Sequence, residues 1–213
     1  MIVLDIETSG VDFLKCGIWQ IGAVDLKNPK NQFLEESRID NEDIVTEGSM
    51  KVTGKTEEEM RDENKQIQKE LLERFFDWCK KAKIKNFICQ NPQFDTTFLK
   101  LKASKYGLEY PFHHRAFDTH SIASLKYKQV KGKFLIEESN GQFCSGLTFT
   151  KIIEFCGVED KRRLMKDGEI VKEGSPHNAL TDAKLTAECF SRIVNGKNLL
   201  EEFKKFPIPK YLK

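Results

Sequence analysis

Hydrophobic and polar positions change period along this chain, and the changes mark its elements. Residues 1–6, with Met1-Ile2-Val3-Leu4 leading into Asp5-Ile6, read as a strand, and residues 17–26 read as a second. A third strand is expected near 32–39, and the short connections favour antiparallel pairing of the three. Thr56 with Glu59 three residues on has the spacing of a capping box. Ile67, Leu71, Phe75, Trp78 and Ala82 then recur at helical spacing, which predicts one helix with one buried face. A short β-rich run at 84–89 ends at Gln90-Asn91-Pro92, followed by a predicted helix over 94–106 with Phe94, Phe98 and Leu101 on one side.

Further on, residues 114–118 read as a fifth strand and 119–125 as a helix. Residues 126–146 are polar, with Asn140-Gly141 as a hairpin turn between Phe134-Leu135-Ile136 and Phe143. A helix is expected over 147–156 and a second hairpin over 164–171, centred on Asp167-Gly168. Ser175 has the chemistry of a helix cap with Pro176 at the first helical position, and Ala183, Ala187, Phe190 and Val194 mark a buried stripe. The expected architecture is α/β, a mixed five-stranded sheet flanked by helices. Residues 1–196 form the main domain, with insertions at 126–146 and 164–171, and 197–213 form a basic tail expected to wrap loosely over the surface.

Composition narrows the class without naming the chemistry. The 213 residues suit one domain, and 39% hydrophobic with 32% charged residues is ordinary for a chain with one core. No apolar run approaches the roughly 18 residues of a membrane span, and the N-terminus lacks a signal-peptide layout, so no membrane partner and a cytoplasmic location are expected. The six cysteines include no C-x2-C pair, and Cys79, Cys89 and Cys189 lie in apolar stretches, as reduced core residues do. Net charge is only +2, but from 100 to 133 eight Lys/Arg (100, 102, 105, 115, 126, 128, 131, 133) face only Glu109 and Asp118. Such a strip can track a phosphate backbone, or simply solvate a helix and a loop. Residues 40–73 are instead rich in acid.

The candidate chemistry lies in three separated pieces. Asp5 and Glu7 are two apart on a strand and so point to one face, where two carboxylates repel unless a divalent cation sits between them. Phe94-Asp95 supplies a distant acid, and His177-Asn178-Ala179-Leu180-Thr181-Asp182 supplies an H-x4-D pair. Singly, each has a bland reading: a solvated D-x-E edge, an element end, a helix-start histidine. Together they form a metal site with a candidate base.

In order and spacing these pieces resemble the DEDD superfamily of 3′→5′ exonucleases, in the histidine branch that includes polymerase proofreading subunits, RNase T and oligoribonuclease. Asp5-Ile6-Glu7-Thr8-Ser9-Gly10 resembles the first motif, Asn91-Pro92-Gln93-Phe94-Asp95 the second and His177 to Ala183 the third. Gln20-Ile21-Gly22-Ala23 and Thr53-Gly54-Lys55-Thr56 are weaker echoes. The resemblance implies an RNase H-like fold and two Mg²⁺ or Mn²⁺ ions held by Asp5, Glu7, Asp95 and Asp182, with Asp5 bridging both. It implies His177 as the base that deprotonates the attacking water. Thr8, Ser9 and Gly10 are expected beside the terminal nucleotide, with Asn91 and Phe94 as further substrate-binding residues. Phe94 and the Phe13-Leu14 pair are candidates for packing on bases, against the commoner fate of Phe in the core. Asp118 lies where relatives often carry an acid, and equally reads as a helix cap. Gln90 stands where many relatives have His, Gln20 where many have Glu, and Thr53-Gly54-Lys55-Thr56 only loosely matches a His-Gly-Ile-Thr segment.

The implied activity is release of 5′-mononucleotides from single-stranded DNA or RNA 3′ ends, with a polymerase or a second copy as candidate partner. The alternatives are a non-cleaving nucleic-acid or polymerase-binding module of the same fold, and a two-metal phosphohydrolase acting on small nucleotides. The choice between DNA and RNA depends on pocket details that sequence does not give.

Overall fold

Strand β1 (Ile2–Thr8) lies at the centre of a five-stranded sheet. In the computed structural model, which describes residues 1–83, 86–139, 141–166 and 169–213, β2 (Ile18–Asp25) pairs antiparallel with β1, and β3 (Gln32–Glu36) pairs antiparallel with β2. On the other side β4 (Phe87–Cys89) and β5 (Phe117–Asp118) run parallel to β1. The mixed five-stranded sheet expected from the sequence is the one observed. The carboxyl ends of β1, β4 and β5 therefore lie at one edge, the usual place for a ligand site in an open α/β sheet.

The two-residue period of β1 divides its side chains between two cores. Ile2, Leu4 and Ile6 pack with Leu71, Phe75 and Phe98, from α3 (Gln68–Lys81) and α4 (Pro92–Lys105). Val3 packs with Ile88, Ala187 and Phe190 on the opposite face, under α7 (Ala179–Asn195). Asp5 and Glu7 share the parity of Val3, so they face the side of the sheet that α7 covers. Helix α7 is buried nearly all round, and its Glu188–Arg192 pair is sealed at 2.8 Å, with Arg192 also donating to the carbonyls of Cys156, Phe203 and Phe206.

Several elements differ from the sequence expectations. The helix read across 56–82 is two: α2 (Glu57–Met60), with the expected Thr56–Glu59 capping box, and α3. Between them, the backbone pairs with the chain after β3 (Ile39 N–H to Met60 O, Arg38 N–H to Gln66 O) rather than continuing a helix. A further helix, α1 (Glu47–Thr53), is capped by Thr46 and ended by Gly54 in a left-handed conformation. On α4, Phe98 is buried and Phe94 packs on the same core as expected, but Leu101 is exposed and Leu99 is buried in its place. Helix α5 (Thr119–Lys131) runs into the 126–146 segment, which also holds the β6 (Ile136–Ser139)/β7 (Gln142–Ser145) hairpin; α6 (Phe149–Phe155) follows. The second hairpin is β8 (Leu164–Lys166) with β9 (Glu169–Lys172). The turn residues Asn140 and Asp167-Gly168, and the start of the 84–89 run, fall outside the described residues.

Ser175 is not the cap of α7. Its backbone N–H donates to Lys161 O and its carbonyl accepts from Arg163 N–H, leaving Asn178 to cap the helix through Thr181 N–H. The tail is docked rather than loose. Leu212 is buried in the core of α5, α6 and α7, Tyr211 donates to Phe155 O, and its ring stacks on Phe155. No helix among the described residues is long and apolar enough to cross a membrane.

The acidic stretch after β3 has a structural partner in α4. Asp43 and Lys102 form a buried pair at 2.7 Å, and Lys105 bonds Asp40 and Glu42. Gln68 bridges them to the sheet, donating to Asp43 and accepting from Ile18 N–H. Lys102 and Lys105 of the expected basic strip are thus neutralised within the fold. Lys128 and Lys131 lie over the rings of Phe134 and Tyr211.

Candidate active site

A cleft of about 370 Å³ opens at the carboxyl ends of the parallel strands, and Asp5, Glu7, Asp95, His177 and Asp182 all line it. Each arrives by a local rule. Asp5 and Glu7 come from alternate positions of β1. Asp95 sits in the first turn of α4, where Asn91 adopts a left-handed conformation and Pro92 starts the helix. Asp182 lies in the first turn of α7, and His177 in the extended segment before Asn178. Glu7, His177 and Asp182 present ligand atoms that all lie within 4.8 Å of one another.

The electrostatics are those of crowded, desolvated acids. Burial, then the charges of Asp182, Asp95 and Glu7, push Asp5 well above the usual carboxylate range. Burial and Asp182 push Glu7 up to about 8, against the pull of His177 and Arg162. Burial pushes Asp95 up to about 8 even though backbone N–H groups favour its ionised form. Asp182 is only 4% exposed; its Oδ2 is engaged while its Oδ1 has no hydrogen-bond partner among the described residues. Four converging carboxylates, three with ionisation suppressed and one holding a bare buried oxygen, are a set of hard oxygen donors suited to divalent cations.

His177 is held at both nitrogens. Nδ1 lies 3.2 Å from Asp182 Oδ2, and Nε2 lies 3.0 Å from the Arg163 carbonyl. Both ring nitrogens face acceptors, which favours the protonated ring. Burial pulls the pKa of His177 down, but the bond to and charge of Asp182, with the Arg163 carbonyl, outweigh it and the net shift is upward.

The remaining sequence candidates divide. Asn91 and Phe94 line the cleft, as does Gln90. Thr8 and Gly10 line an adjoining apolar cavity that shares Glu7, Val52, Phe94 and Met165 with it. Ser9 is fully buried; its hydroxyl donates to Ile44 O and accepts from Gly17 N–H, which engages it in holding the loop. Phe94 packs on Phe98 at 5.0 Å, and Phe13, 39% exposed, caps both rings. Leu14 is exposed and away from both cavities. Asp118 is a helix cap: it accepts from His120 and Ser121 N–H and from Asn91 N–H.

The hairpin expected over 164–171 borders the site, whereas one charged residue of the cleft was not legible in the sequence. The β8–β9 hairpin forms a wall through Leu164 and Met165, tied across the cleft by Arg163 to Lys51 O and by Lys51 to Glu169. Arg162, within the charged run Glu159-Asp160-Lys161-Arg162-Arg163, reads as solvated surface yet is 5% exposed and reaches Asp182. Nothing in the local pattern distinguishes it from its neighbours.

Residues 2–190 match the RNase T exonuclease family. The chain is 28% identical over 193 residues to a PolC-type DNA polymerase III of Caldanaerobacter subterraneus subsp. tengcongensis, a match covering 91% of this chain and 11% of that protein. Among solved structures it resembles the nuclease domain of 3′hExo, described as a DEDDh family member bound to rAMP (TM-score 0.60, 15% identity, 98% of this chain and 95% of that one). It also resembles cell-death related nuclease 4 (TM-score 0.62, 18% identity, 92% and 64%) and E. coli exonuclease I in complex with a dT13 oligonucleotide (TM-score 0.62, 13% identity, 90% and 40%). At these identities the structural likeness speaks for the fold, and the family match for the class. The chain belongs to the RNase T exonuclease family.

Proposed function

We propose that this domain is a 3′→5′ exonuclease that uses two Mg²⁺ or Mn²⁺ ions to release 5′-mononucleotides from single-stranded DNA or RNA ends. The observation that carries the reading is the convergence of Asp5, Glu7, Asp95 and Asp182 on one cleft, with Asp182 Oδ1 buried and unpartnered among the described residues. Bound there, the cations would acidify the attacking water and neutralise charge on the phosphate. Asp5, Glu7 and Asp182 would hold one ion, and Asp95 with Asp5 the other.

The chain's own groups account for the rest. His177 takes the water proton once its ring leaves the Arg163 carbonyl and releases its Nε2 proton to solvent; its position ahead of α7, outside any regular element, permits that swing. The adjoining apolar cavity, lined by Phe94, Val52, Met165, Thr8 and Gly10, accommodates the terminal base. Asn91, exposed at the start of α4 and lining the cleft, is the proposed contact to the next nucleotide. The likeness to a PolC-type polymerase supports a polymerase as partner, and the E. coli exonuclease I complex supports single strands as substrate.

The test is a time course on 5′-labelled DNA and RNA oligomers with Mg²⁺, Mn²⁺ or EDTA, alongside His177→Ala. The expected result is a cation-dependent ladder shortening from the 3′ end, slowed by about 10²–10⁴ in the variant, as for loss of a general base. Binding without cleavage would move the assignment to the non-cleaving module. Hydrolysis of mononucleotide esters as fast as oligomers would move it to a small-nucleotide phosphohydrolase.

A further inference from the structure

Among the described residues, Arg162 is the cleft residue that brings a fixed positive charge into contact with a proposed cation ligand, and its geometry is unusually constrained. Its Nε and Nη2 donate to the two oxygens of Asp160 at 3.0 and 2.9 Å, and its backbone N–H donates to Asp160 as well. The guanidinium lies 4.5 Å from the Phe149 ring centre. The backbone here is locked by the bridge between Arg162 and Ser175, with Gly174 packed so closely that a Cβ there would lie 2.6 Å from the Arg162 carbonyl. So held, Arg162 directs Nη1 at Asp182 Oδ2, 3.2 Å away. His177 Nδ1 meets the same oxygen at 3.2 Å. Both donors fall on Oδ2, and Oδ1 is left bare.

We propose that Arg162 is a positioning residue of the cation site: clamped by Asp160, it fixes the Asp182 carboxylate with Oδ2 turned to protein and Oδ1 turned to a divalent cation. The inference rests on the cation-dependent reading of the cleft given above. A carboxylate attached to a helix by one methylene rotates readily, and rotation would exchange the two oxygens. Two donors converging on one oxygen define its orientation before the cation arrives, as outer hydrogen-bond partners do for metal ligands generally. A plain counter-charge would act with the opposite sign, since an arginine beside four acids repels a cation and its removal should tighten binding.

The experiment is titration of the purified domain with Mn²⁺ alone, following free Mn²⁺ by electron paramagnetic resonance, for wild type, Arg162→Met and Arg162→Lys. Circular dichroism and denaturant unfolding establish that each variant is folded. Positioning predicts Mn²⁺ affinity weakened about tenfold or more in Arg162→Met, although a positive charge has been removed. It predicts weakening also in Arg162→Lys, which keeps the charge but loses the planar fork. The Mg²⁺ concentration giving half-maximal cleavage should rise in parallel, with oligonucleotide KM at saturating Mn²⁺ unchanged within about twofold. Unchanged or tighter Mn²⁺ binding in a folded variant overturns the proposal. Should Arg162→Met fail to fold, Arg162→Lys decides the question alone. Absence of Mn²⁺ binding by the wild type would instead overturn the cation-dependent reading itself, an outcome distinct from a variant that matches a competent wild type.

Discussion

The side-chain carbonyl of Gln20 accepts a hydrogen bond from the backbone N–H of Ala179 at 2.8 Å. Gln20 stands opposite Glu7 in the β1–β2 register, and Ala179 begins the helix that carries Asp182. One bond therefore ties the strand pair of the first acidic motif to the helix of the third. Its amide N–H₂ group donates to Glu36, which fixes the side chain from behind. Gly22 completes the junction, because a Cβ there would lie 2.1 Å from the Ala179 carbonyl carbon and the Leu180 nitrogen.

Gly22→Ala is accordingly expected to destabilise the domain by about 3 kcal/mol or more, the upper end of over-packing costs, since backbone must move. Gln20→Ala is expected to cost about 1 kcal/mol, as for loss of a helix-capping oxygen. Denaturant unfolding measures both. Equal stability of Gly22→Ala and wild type would mean that α7 does not depend on this close approach.

Asp5→Asn should separate stability from activity. It relieves repulsion from Asp182, Asp95 and Glu7, so the metal-free protein should melt higher, by about 2–4 °C for each kcal/mol relieved. Removing the proposed bridging ligand should lower cleavage by about 10³ or more, corresponding to several kcal/mol of charge stabilisation. Calorimetry in EDTA and a gel-based cleavage assay read the two effects. A lower melting temperature would show that the acids are not in conflict without cations.

Without divalent cations, stability should fall as pH rises from about 5 to about 8. Glu7 and Asp95, each pushed up to about 8, and Asp5, also raised, bind more protons folded than unfolded across that window. A raised carboxyl contributes stability below its folded pKa that is lost as pH rises through it, and raised His177 acts in the same sense. Asp40 and Asp160, held below the usual range, act only at lower pH. Denaturation midpoints in EDTA and in Mn²⁺ across this range test the sign; Mn²⁺ should abolish the decline, and a flat EDTA profile would refute the conflict.

Lys102→Met should destabilise by about 3–5 kcal/mol, because Asp43 would be left charged and buried without its partner. Adding Asp43→Asn should recover part of that loss. A double-mutant cycle by urea unfolding gives the coupling, and additive losses would show the pair to be energetically independent.

Much of the site is legible in the sequence because its residues obey local periods. The alternation in β1 places Asp5 and Glu7 on one face whatever covers it, and the helix read over 94–106 carries Asp95, although it starts two residues earlier, at Pro92. Helix α1 is harder to see because its seven residues carry little apolar pattern, although Thr46 and Gly54 stand at its ends. The break between α2 and α3 is hidden for another reason: Arg61 reaches the carbonyls of Asp40 and Asp43, and residues 60–66 bond the chain after β3. Those bonds span about twenty residues or more and leave no local signal. Ser175 loses its expected capping role in the same way, to backbone pairing with 161–163.

By itself the sequence determined the order of the sheet strands and of most helices, the family, and the acids and histidine that converge, since periodicity and capping are properties of neighbouring residues. Only the tertiary structure decided which charges meet. Asp43 finds Lys102, Ser9 turns its hydroxyl into the scaffold, and Arg162 reaches Asp182 while Lys161 beside it remains at the surface. Side chains of one charge type look alike along the chain. What separates them is desolvation and the partner that compensates it, and both are set by contacts between segments far apart in sequence.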